Sequence, residues 1–397
     1  MSAVSFDAGE SVAPADLEEA AEALREAASR HRTVSFLGGG TELGLGYPPQ
    51  RVDVLVRTAG LTRIVEYAPA DMTVTVEAGL TLAALQERLE PQGQRLALDP
   101  PLATAATLGG LLATNAFGPR RARFGSLRDL IVGVSLIRAD GARVRGGGKV
   151  VKNVAGFDLP KLMVGALGTL GMIATATFRL HPLPAAVRLL RVADCEAARV
   201  RALCRASVAA QLEPAALLAL RAGGHYSLHV LFEGFEAGVA EQAARFARLA
   251  EASGAAAEPL EGAATLAALD REARVHGSVR LRLAAPPSAL ETLDRAALLP
   301  LEAAFGEARA VLYPSLGVAF MGGFPADPAA AVAAIGQARA ALESVGGHLV
   351  VTEAAGDVAQ GVDPFGTLPG SFALMAQLKA RFDPERRLNR GRFLGNL

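Results

Sequence analysis

The chain has 397 residues, of which 51% are hydrophobic, and 40 basic side chains balance 40 acidic ones. This length suits two or three domains with cores of their own, and the zero net charge gives no indication of a nucleic-acid-binding surface. The two cysteines, Cys195 and Cys204, are too few for a disulfide framework or a four-cysteine iron–sulfur cluster.

The amino-terminal residues lack a basic segment followed by an apolar core, and no run of about 18 uncharged apolar residues occurs in the chain. The sequence therefore predicts a cytoplasmic protein with neither a signal peptide nor a membrane span. Any peripheral association with the inner membrane would come through its partners.

The first part of the chain predicts strands and helices around a glycine loop. A helix is predicted over Pro14–Arg30, since proline and acidic residues occupy its first turns. Alternating apolar residues predict strands at Thr33–Leu37, Val52–Arg57 and Met72–Gly79, and a second helix is predicted at Leu80–Glu90. The run Gly38-Gly39-Gly40-Thr41 follows the first strand. Its backbone N–H groups are suited to a phosphate, and a plain turn is the alternative.

Two more Gly/Thr-rich segments follow in the same part of the chain. One contains Thr107, Gly109, Gly110, Thr114 and Asn115, and the other contains Gly165, Gly168, Thr169 and Gly171. No G-x-G run completes the Rossmann fingerprint, and the first loop lacks the Gly-Lys-Ser/Thr of a Walker A motif. Three such loops in one domain favour a single extended ligand that the backbone contacts at several points.

The second part of the chain predicts a different domain. The dipeptide Asp140-Gly141 indicates a hairpin turn near the end of the first part. Pro182 and Pro184 indicate a domain boundary near residue 184. Strands are predicted at Arg188–Ala193, Tyr226–Phe232, His276–Leu283, Gly317–Met321 and His348–Thr352, and helices at Glu196–Ala209, Gly238–Ala252, Pro287–Leu298 and Pro328–Val345. This alternation is typical of an antiparallel sheet with helices on one side. Beyond it, the sequence predicts a helix that ends at Pro384 and an ordered basic tail.

Four stretches together resemble a known family. They are "LGGGTELGLGYP", "PPLATAATLGGLLATNAFGPRRARFGSLRDLIVGV", "VVKNVAGFDLPKLMVGALGTLGMI" and "FDPERRLNRGRF". In residues 33–184 and in the tail the chain resembles the vanillyl-alcohol-oxidase/PCMH-type FAD-binding flavoproteins, and among them the FAD-binding subunits of glycolate oxidase (glycolate dehydrogenase). The resemblance implies an α+β fold with a two-lobed PCMH-type FAD-binding domain at 1–184. A smaller α+β cap domain with an antiparallel sheet follows at 185–370, and a C-terminal helix and tail at 371–397 return to the flavin.

The resemblance also implies which residues bind FAD. By this resemblance, the pyrophosphate is bound by Gly38, Gly39, Gly40 and Thr41. The ribityl and isoalloxazine side is bordered by Thr107, Gly109, Gly110, Thr114, Asn115 and Gly118. The adenosine side falls to Gly168, Thr169, Gly171 and Ile173. Asn389 and Arg392 match a terminal Asn-Pro-Gly-Lys/Arg element near the flavin ring, although Arg390 stands where the family often has proline.

The histidines give no sign of covalent flavin attachment or of a metal site. None of the six lies in a glycine loop, and neither cysteine does, so non-covalent FAD is expected. His225 and His229 would share a face of a helix and could bind a metal there. Their segment predicts a strand, however, which separates them by about 13 Å, and no metal site is predicted.

The activity implied by the resemblance is that of an FAD-dependent oxidoreductase acting on CH–OH groups. The chain would serve a complex that oxidises glycolate to glyoxylate, together with a catalytic FAD-binding paralogue and an iron–sulfur subunit. The catalytic pattern H-x-G-D-G-N-x-H is absent, so the catalytic residues stay unassigned. Arg121, Arg123 and Arg128 are candidates for a substrate carboxylate clamp, with solvated surface arginines as the alternative. A stand-alone 2-hydroxyacid dehydrogenase and a non-catalytic electron-relay or structural subunit are the alternative functions.

The lysines are unevenly distributed. Only four of the 40 basic residues are lysines, and three of them fall within Lys149–Lys161. Since a lysine presents a compact charge and an arginine a planar fork, the clustering predicts that this segment faces the flavin or a partner. Chance clustering is the alternative.

Overall fold

The computed structural model describes residues 6–148, 157–260 and 274–397. The chain forms two compact units, of which the first comprises Met1–Gly118, Gly125–Leu183 and Thr367–Leu397. The second comprises Pro119–Phe124 and Pro184–Gly366, so a six-residue segment expected in the first domain belongs with the second unit. No helix in the described ranges combines the length and the apolar character that crossing a bilayer requires.

The first lobe of the first unit is a small parallel sheet covered by a helix. Its elements are β1 (Glu10–Val12), α1 (Leu17–Ser29), β2 (Val34–Leu37) and β3 (Val54–Arg57), in the strand order β1-β3-β2. Helix α1 begins where the Asp16 carboxylate accepts hydrogen bonds from the backbone N–H groups of Glu18 and Glu19. Its apolar face, with Leu24 at the centre, packs against Val34 and the other buried residues of this sheet. The predicted helix and both strands are confirmed.

The second lobe is built on a five-stranded antiparallel sheet of order β4-β5-β9-β7-β8. Its elements in chain order are β4 (Ile64–Ala68), β5 (Thr73–Glu77), α2 (Leu82–Leu89), β6 (Gln94–Arg95), α3 (Leu108–Thr114), α4 (Arg121–Phe124), α5 (Leu127–Leu130), β7 (Ile131–Ile137), β8 (Arg143–Gly147), α6 (Leu159–Met163), β9 (Met172–Arg179) and β10 (His181–Pro182). Strands β6 and β10 form a separate two-stranded ladder, and α4 lies in the segment that belongs to the second unit. The hairpin predicted at Asp140-Gly141 joins β7 and β8.

The second unit contains two copies of one topology in a single antiparallel sheet. The first copy is β11 (Ala186–Cys195), α7 (Ala197–Ala209), β12 (Ala216–Ala222), β13 (His225–Gly234), α8 (Glu236–Ala252) and β14 (Glu258–Leu260). The second is β15 (Val279–Ala284), a helical run over Pro287–Leu298 that continues into α9 (Leu299–Phe305), β16 (Arg309–Tyr313), β17 (Val318–Gly323), α10 (Pro328–Glu343) and β18 (His348–Ala354). The order β14-β11-β13-β12-β16-β17-β15-β18 reads the same from both ends, because the second strands of the two copies pair at the centre.

The core of the second unit lies between its sheet and its helices. Leu203 and Phe246 from the first copy and Ile335 from the second belong to one apolar cluster with alternate strand residues such as Leu228 and Leu281. The expected α+β architecture, with a two-lobed domain followed by an antiparallel sheet domain, is confirmed. A short helix α11 (Gly356–Gly361) ends this unit.

The carboxyl-terminal segment completes the first unit. Helix α12 (Phe372–Phe382) is followed by a tail that runs parallel to β2, where Leu388 pairs with Val34. The backbone N–H of Val34 donates to Arg387 O (2.9 Å), and that of Asn389 donates to Val34 O (2.8 Å). The tail therefore adds an extended segment to the first lobe, beside the glycine loop that follows β2.

The surroundings of the two thiols, of which Cys195 is buried and Cys204 half-buried, lead to a first prediction. Cys195 ends β11 with no exposed surface, and burial raises its pKa. Burial also raises the pKa of Cys204 on α7 to about 12. Since the thiolate is the reactive form, we expect the native chain to react with less than one equivalent of Ellman's reagent within minutes at pH 8. Two equivalents should react in denaturant. Rapid labelling of the native chain at both sites would contradict the packing described for this unit.

Candidate functional site

A cleft in the first unit is bounded by all three Gly/Thr loops and by the tail. Its lining residues are Phe6, Phe36, Leu37, Gly38, Gly39, Gly40, Thr41, Glu42, Leu43, Thr58, Ala78, Thr107, Gly109, Gly110, Ala113, Thr114, Leu167, Gly168, Gly171, Met172, Ile173, Asn389 and Arg392. Segments far apart in sequence thus meet at one place. All but three of the residues predicted for cofactor binding line this cleft.

The glycine loop packs against the loop that precedes α3. A Cβ atom built on Gly38 would lie 2.3 Å from Thr107 Oγ1, and one built on Gly39 would lie 1.7 Å from Ala105 O. Gly40 has a φ of +69°, in the left-handed region that favours glycine. Close packing of two loops therefore accounts for the first two glycines, while their backbone still faces the cleft.

The second loop forms the start of α3. Thr107 caps this helix, since its Oγ1 accepts from the Gly110 N–H (3.3 Å). The Gly109 N–H donates to Ala78 O (2.7 Å), and a Cβ on Gly109 would lie 2.7 Å from the Ala78 Cβ. A Cβ on Gly110 would meet only Thr107 Oγ1, at 3.1 Å. Gly109 is thus required by packing on β5, whereas Gly110 keeps the cleft open.

The tail places two polar side chains at the cleft. Asn389 is buried, its Nδ2 donates to Leu167 O (2.6 Å), and its Oδ1 accepts from the Phe36 N–H (3.4 Å). Asn389 thereby connects the third loop with β2. A Cβ on Gly168 would lie 2.5 Å from Asn389 Nδ2, so that loop must bear glycine where the tail approaches it.

Arg392 is a buried cation at the wall of the cleft. The residue is 5% exposed, and its Nη2 donates to Leu43 O (2.9 Å) and Leu45 O (2.7 Å). Its guanidinium lies over the Phe6 ring, 5.1 Å from the centroid. Nη1 has no hydrogen-bond partner, and no carboxylate of the described residues pairs with Arg392. Burial consequently lowers the pKa of Arg392 to about 10. A buried charge without a counter-ion marks a place suited to an anionic ligand.

Three predicted residues do not line the cleft. Thr169 is buried, and its Oγ1 donates to Ala166 O (2.7 Å). Gly118 packs on Asp99, because a Cβ there would lie 1.9 Å from Asp99 O. Asn115 ends α3 in the left-handed conformation, with a φ of +53°. The three residues therefore contribute to the conformation of their loops and not to the lining of the cleft.

Several lining residues were not predicted from the sequence. Thr58 directly follows β3, and Ala78 directly follows β5, so their position after a strand was an available signal. Met172 begins β9 between the predicted Gly171 and Ile173. As an apolar residue of a strand, it carries no signal in the sequence that separates a lining residue from a core residue. Phe6 precedes the first strand and carries no comparable signal.

Ionisable groups are scarce in the cleft. Among the described lining residues, only Glu42 and Arg392 carry an ionisable side chain. Within the described ranges, no group of three or more His, Cys, Asp or Glu side chains is placed to hold a metal ion. His225 and His229 both lie on β13, as expected for a strand.

The three candidate clamp arginines are not part of the cleft. Arg123 forms an ion pair with Glu213 (2.6 Å) within the second unit, and Arg128 is exposed on α5 of the first. Arg121 lies on α4. Of the lysine-rich segment, Lys149 and Lys152 lie outside the described residues, and Lys161 pairs with Asp158 (2.7 Å).

Comparison with known sequences identifies the domain that bears this cleft. A family model described as "FAD binding domain" matches residues 11–147. Glycolate oxidase subunit GlcE of Escherichia coli K12 is 36% identical over 173 residues, which are 43% of this chain and 48% of that protein. D-lactate dehydrogenase of Archaeoglobus fulgidus is also 36% identical over 173 residues, covering 43% of this chain and 38% of that enzyme. The chain thus matches less than half the length of either relative, and it contains an FAD-binding domain as expected.

Solved structures share the fold over most of the chain. A structure of alkyldihydroxyacetonephosphate synthase matches with a TM-score of 0.72 and covers 96% of this chain and 75% of that one. The two sequences are 17% identical, so this likeness concerns the fold alone.

Proposed function

We propose that this chain is the FAD-binding subunit of a glycolate (2-hydroxyacid) dehydrogenase complex, holding FAD non-covalently in the cleft of its first unit. The observation that carries the proposal is the buried Arg392, which lines a cleft bounded by glycine loops and whose Nη1 has no hydrogen-bond partner. FAD is an extended anion, and such a ligand suits a cleft that three loops and a buried cation border. When bound, it accepts the two electrons released as glycolate is oxidised to glyoxylate.

The residues have distinct proposed roles. Gly38 to Thr41 offer backbone N–H groups to the pyrophosphate, and Arg392 offers its positive charge near the flavin ring. Residues of α3, from Thr107 to Thr114, border the ribityl and isoalloxazine part, and Gly168, Gly171 and Ile173 border the adenosine. Asn389 holds the tail against the third loop. Asn115, Gly118 and Thr169 shape their loops without lining the cleft.

The scarcity of ionisable groups supports a role within a complex. Oxidation of a hydroxyacid needs a group that takes the hydroxyl proton, commonly a histidine or a carboxylate. Of the described lining residues none is a histidine, and Glu42 is the single carboxylate. We therefore assign the catalytic base to a catalytic FAD-binding paralogue, and the route to the acceptor to an iron–sulfur subunit. A cytoplasmic location, with the partners making any membrane contact, accords with this assignment.

A coexpression experiment tests the proposal. The purified chain should show a flavin spectrum and release all of its flavin on acid precipitation. Alone, it should oxidise glycolate in a dye-coupled assay at least about 100-fold more slowly per flavin than the set assembled with the catalytic paralogue and the iron–sulfur subunit, the factor that a missing general base commonly costs.

The other outcomes point to the alternative functions. Equal turnover per flavin in the lone chain and in the assembled set would favour a stand-alone 2-hydroxyacid dehydrogenase. If glycolate reduces the flavin of this chain only through the paralogue in the assembled set, the chain is an electron-relay subunit. If it never reduces that flavin, the chain is a structural subunit. A chain that takes up no FAD would overturn the proposal itself.

A further inference from the structure

One charged side chain on α12 is buried away from the cleft. Lys379 is 2% exposed and is the one lysine that lies outside the segment 149–161. Its Nζ lies 2.8 Å from Thr169 O, 2.6 Å from Asp383 Oδ2 and 2.9 Å from Leu388 O. An ammonium group has three protons to donate, and here each has an acceptor.

The three acceptors belong to three different segments. Thr169 lies in the third Gly/Thr loop, Asp383 caps the end of α12, and Leu388 lies in the tail. Asp383 is wholly buried, and its Oδ2 also accepts from the Leu388 N–H (2.7 Å). The ion pair of Lys379 and Asp383 thus connects α12, the third Gly/Thr loop and the tail at one point.

Both connected segments continue directly into the cleft. Thr169 directly follows Gly168, and Leu388 directly precedes Asn389. Gly168 and Asn389 both line the cleft, and they lie close together because Asn389 Nδ2 donates to the carbonyl of Leu167. Leu388 also holds the tail in register with Val34 of β2. A displacement of either segment at Lys379 would therefore separate the two at the wall of the cleft.

The choice of side chain fits this geometry. Burial lowers the pKa of Lys379, and the neighbouring Asp383 opposes that shift. A buried ion pair is seldom more stabilising than apolar residues of the same volume, so stability alone does not account for it. In a chain that otherwise uses arginine, a compact ammonium suits three convergent acceptors that a planar guanidinium would not satisfy.

We propose that Lys379 is a positioning residue of the cofactor cleft, whose ammonium group fixes the third Gly/Thr loop to the carboxyl-terminal tail. This inference rests on the proposed function, since it takes the cleft to be the FAD site. Lys379 itself touches no cofactor. It acts by holding Gly168 and Asn389 on one wall.

The test compares Lys379→Met with a matched variant in the other unit. Arg221→Met also removes a buried cation, since the Arg221 side chain is 2% exposed and pairs with Asp294 and Glu302. In full-length Lys379→Met we expect amide hydrogen exchange of residues 387–392 to be at least tenfold faster. The folded variant should bind FAD with at least tenfold lower affinity. The visible circular dichroism of the bound flavin should also change. Arg221→Met should lower stability and leave these three readouts as in the wild type.

Other results decide against the inference. If Lys379→Met loses stability while tail exchange, FAD affinity and the flavin spectrum stay at wild-type values, the residue has a structural role only. Should that variant fail to fold, Lys379→Met/Asp383→Leu removes both charges and is measured in the same way. Wild-type FAD affinity and tail protection in this double variant would overturn the proposal.

The two hypotheses fail separately. A wild-type chain that binds no FAD would overturn the proposed function. The exchange measurement on the same apoprotein would still decide whether Lys379 holds the tail to the loop.

Discussion

Arg392→Leu should weaken FAD binding by roughly 10- to 100-fold, the loss that follows when a charge-assisted hydrogen bond is removed. The apoprotein should be affected far less. Lowering the pKa of Arg392 from its ordinary value of 12.5 to about 10 corresponds to a destabilisation of the folded apoprotein on the order of 3 kcal/mol, which the substitution relieves. Loss of the hydrogen bonds to Leu43 O and Leu45 O offsets that gain, at about 1 kcal/mol each. Isothermal titration with FAD and urea unfolding of the apoprotein measure the two effects.

Arg387 supplies the matched control for this prediction. It is also a buried arginine of the tail, 6% exposed, and its Nη2 donates to Ala139 O (2.8 Å). Unlike Arg392, it pairs with a carboxylate, that of Glu385 (3.3 Å), and does not line the cleft. Arg387→Leu should lower apoprotein stability and leave FAD affinity within about twofold. If both variants instead lose stability and affinity in the same proportion, Arg392 is a structural arginine and no anion site exists there.

Gly39→Ala should lower the free energy of unfolding of the apoprotein by at least about 3 kcal/mol, the upper end for overpacking. The new Cβ would lie 1.7 Å from Ala105 O and 2.8 Å from the Ala105 carbonyl carbon. Both are backbone atoms, so one of the two loops would have to move. Because FAD is absent from the measurement, the effect reports loop packing and not loss of a phosphate contact.

Gly110→Ala is the complementary variant, since its Cβ would meet only a side-chain oxygen in the cleft. Alanine is favoured over glycine inside a helix by roughly 1 kcal/mol, so the apoprotein should be at least as stable as the wild type. FAD affinity should fall, because a methyl group enters the cleft beside α3.

Equal stability of Gly39→Ala and the wild type would show that the glycine loop does not pack as described.

The glycine loop shows how far sequence reasoning reaches. Three consecutive glycines after a strand indicated a backbone that comes close to something, and a phosphate was the predicted neighbour. The structure shows that Gly38 and Gly39 first approach Thr107 and Ala105, residues almost 70 positions away. Such a contact cannot be read from local spacing, because it depends on how two loops of one domain meet.

Three strands of the large sheet had no predicted counterpart. They are the short edge strand β14 and the central β12 and β16, which pair with each other. Residues 216–219 are buried without interruption, so no apolar/polar alternation marks a strand, and their Ala and Leu content equally suits a helix. Helix α12 was predicted because the signal that ends it, Pro384, lies next to it in the sequence. The role of Lys379 was not, since its acceptors come from residues 169 and 388.

The tail that pairs with β2 has a consequence for how the protein matures. Phe36 and its partner Asn389 are 353 residues apart in sequence. At ribosomal speeds of 5–20 residues per second, Asn389 is synthesised roughly 20 to 70 s after Phe36. All strands of the second unit leave the ribosome during this interval, so that unit is able to fold while the nascent first unit still lacks one wall of its cleft. Cofactor loading then becomes a late event in biogenesis, which follows synthesis of the segment around Asn389.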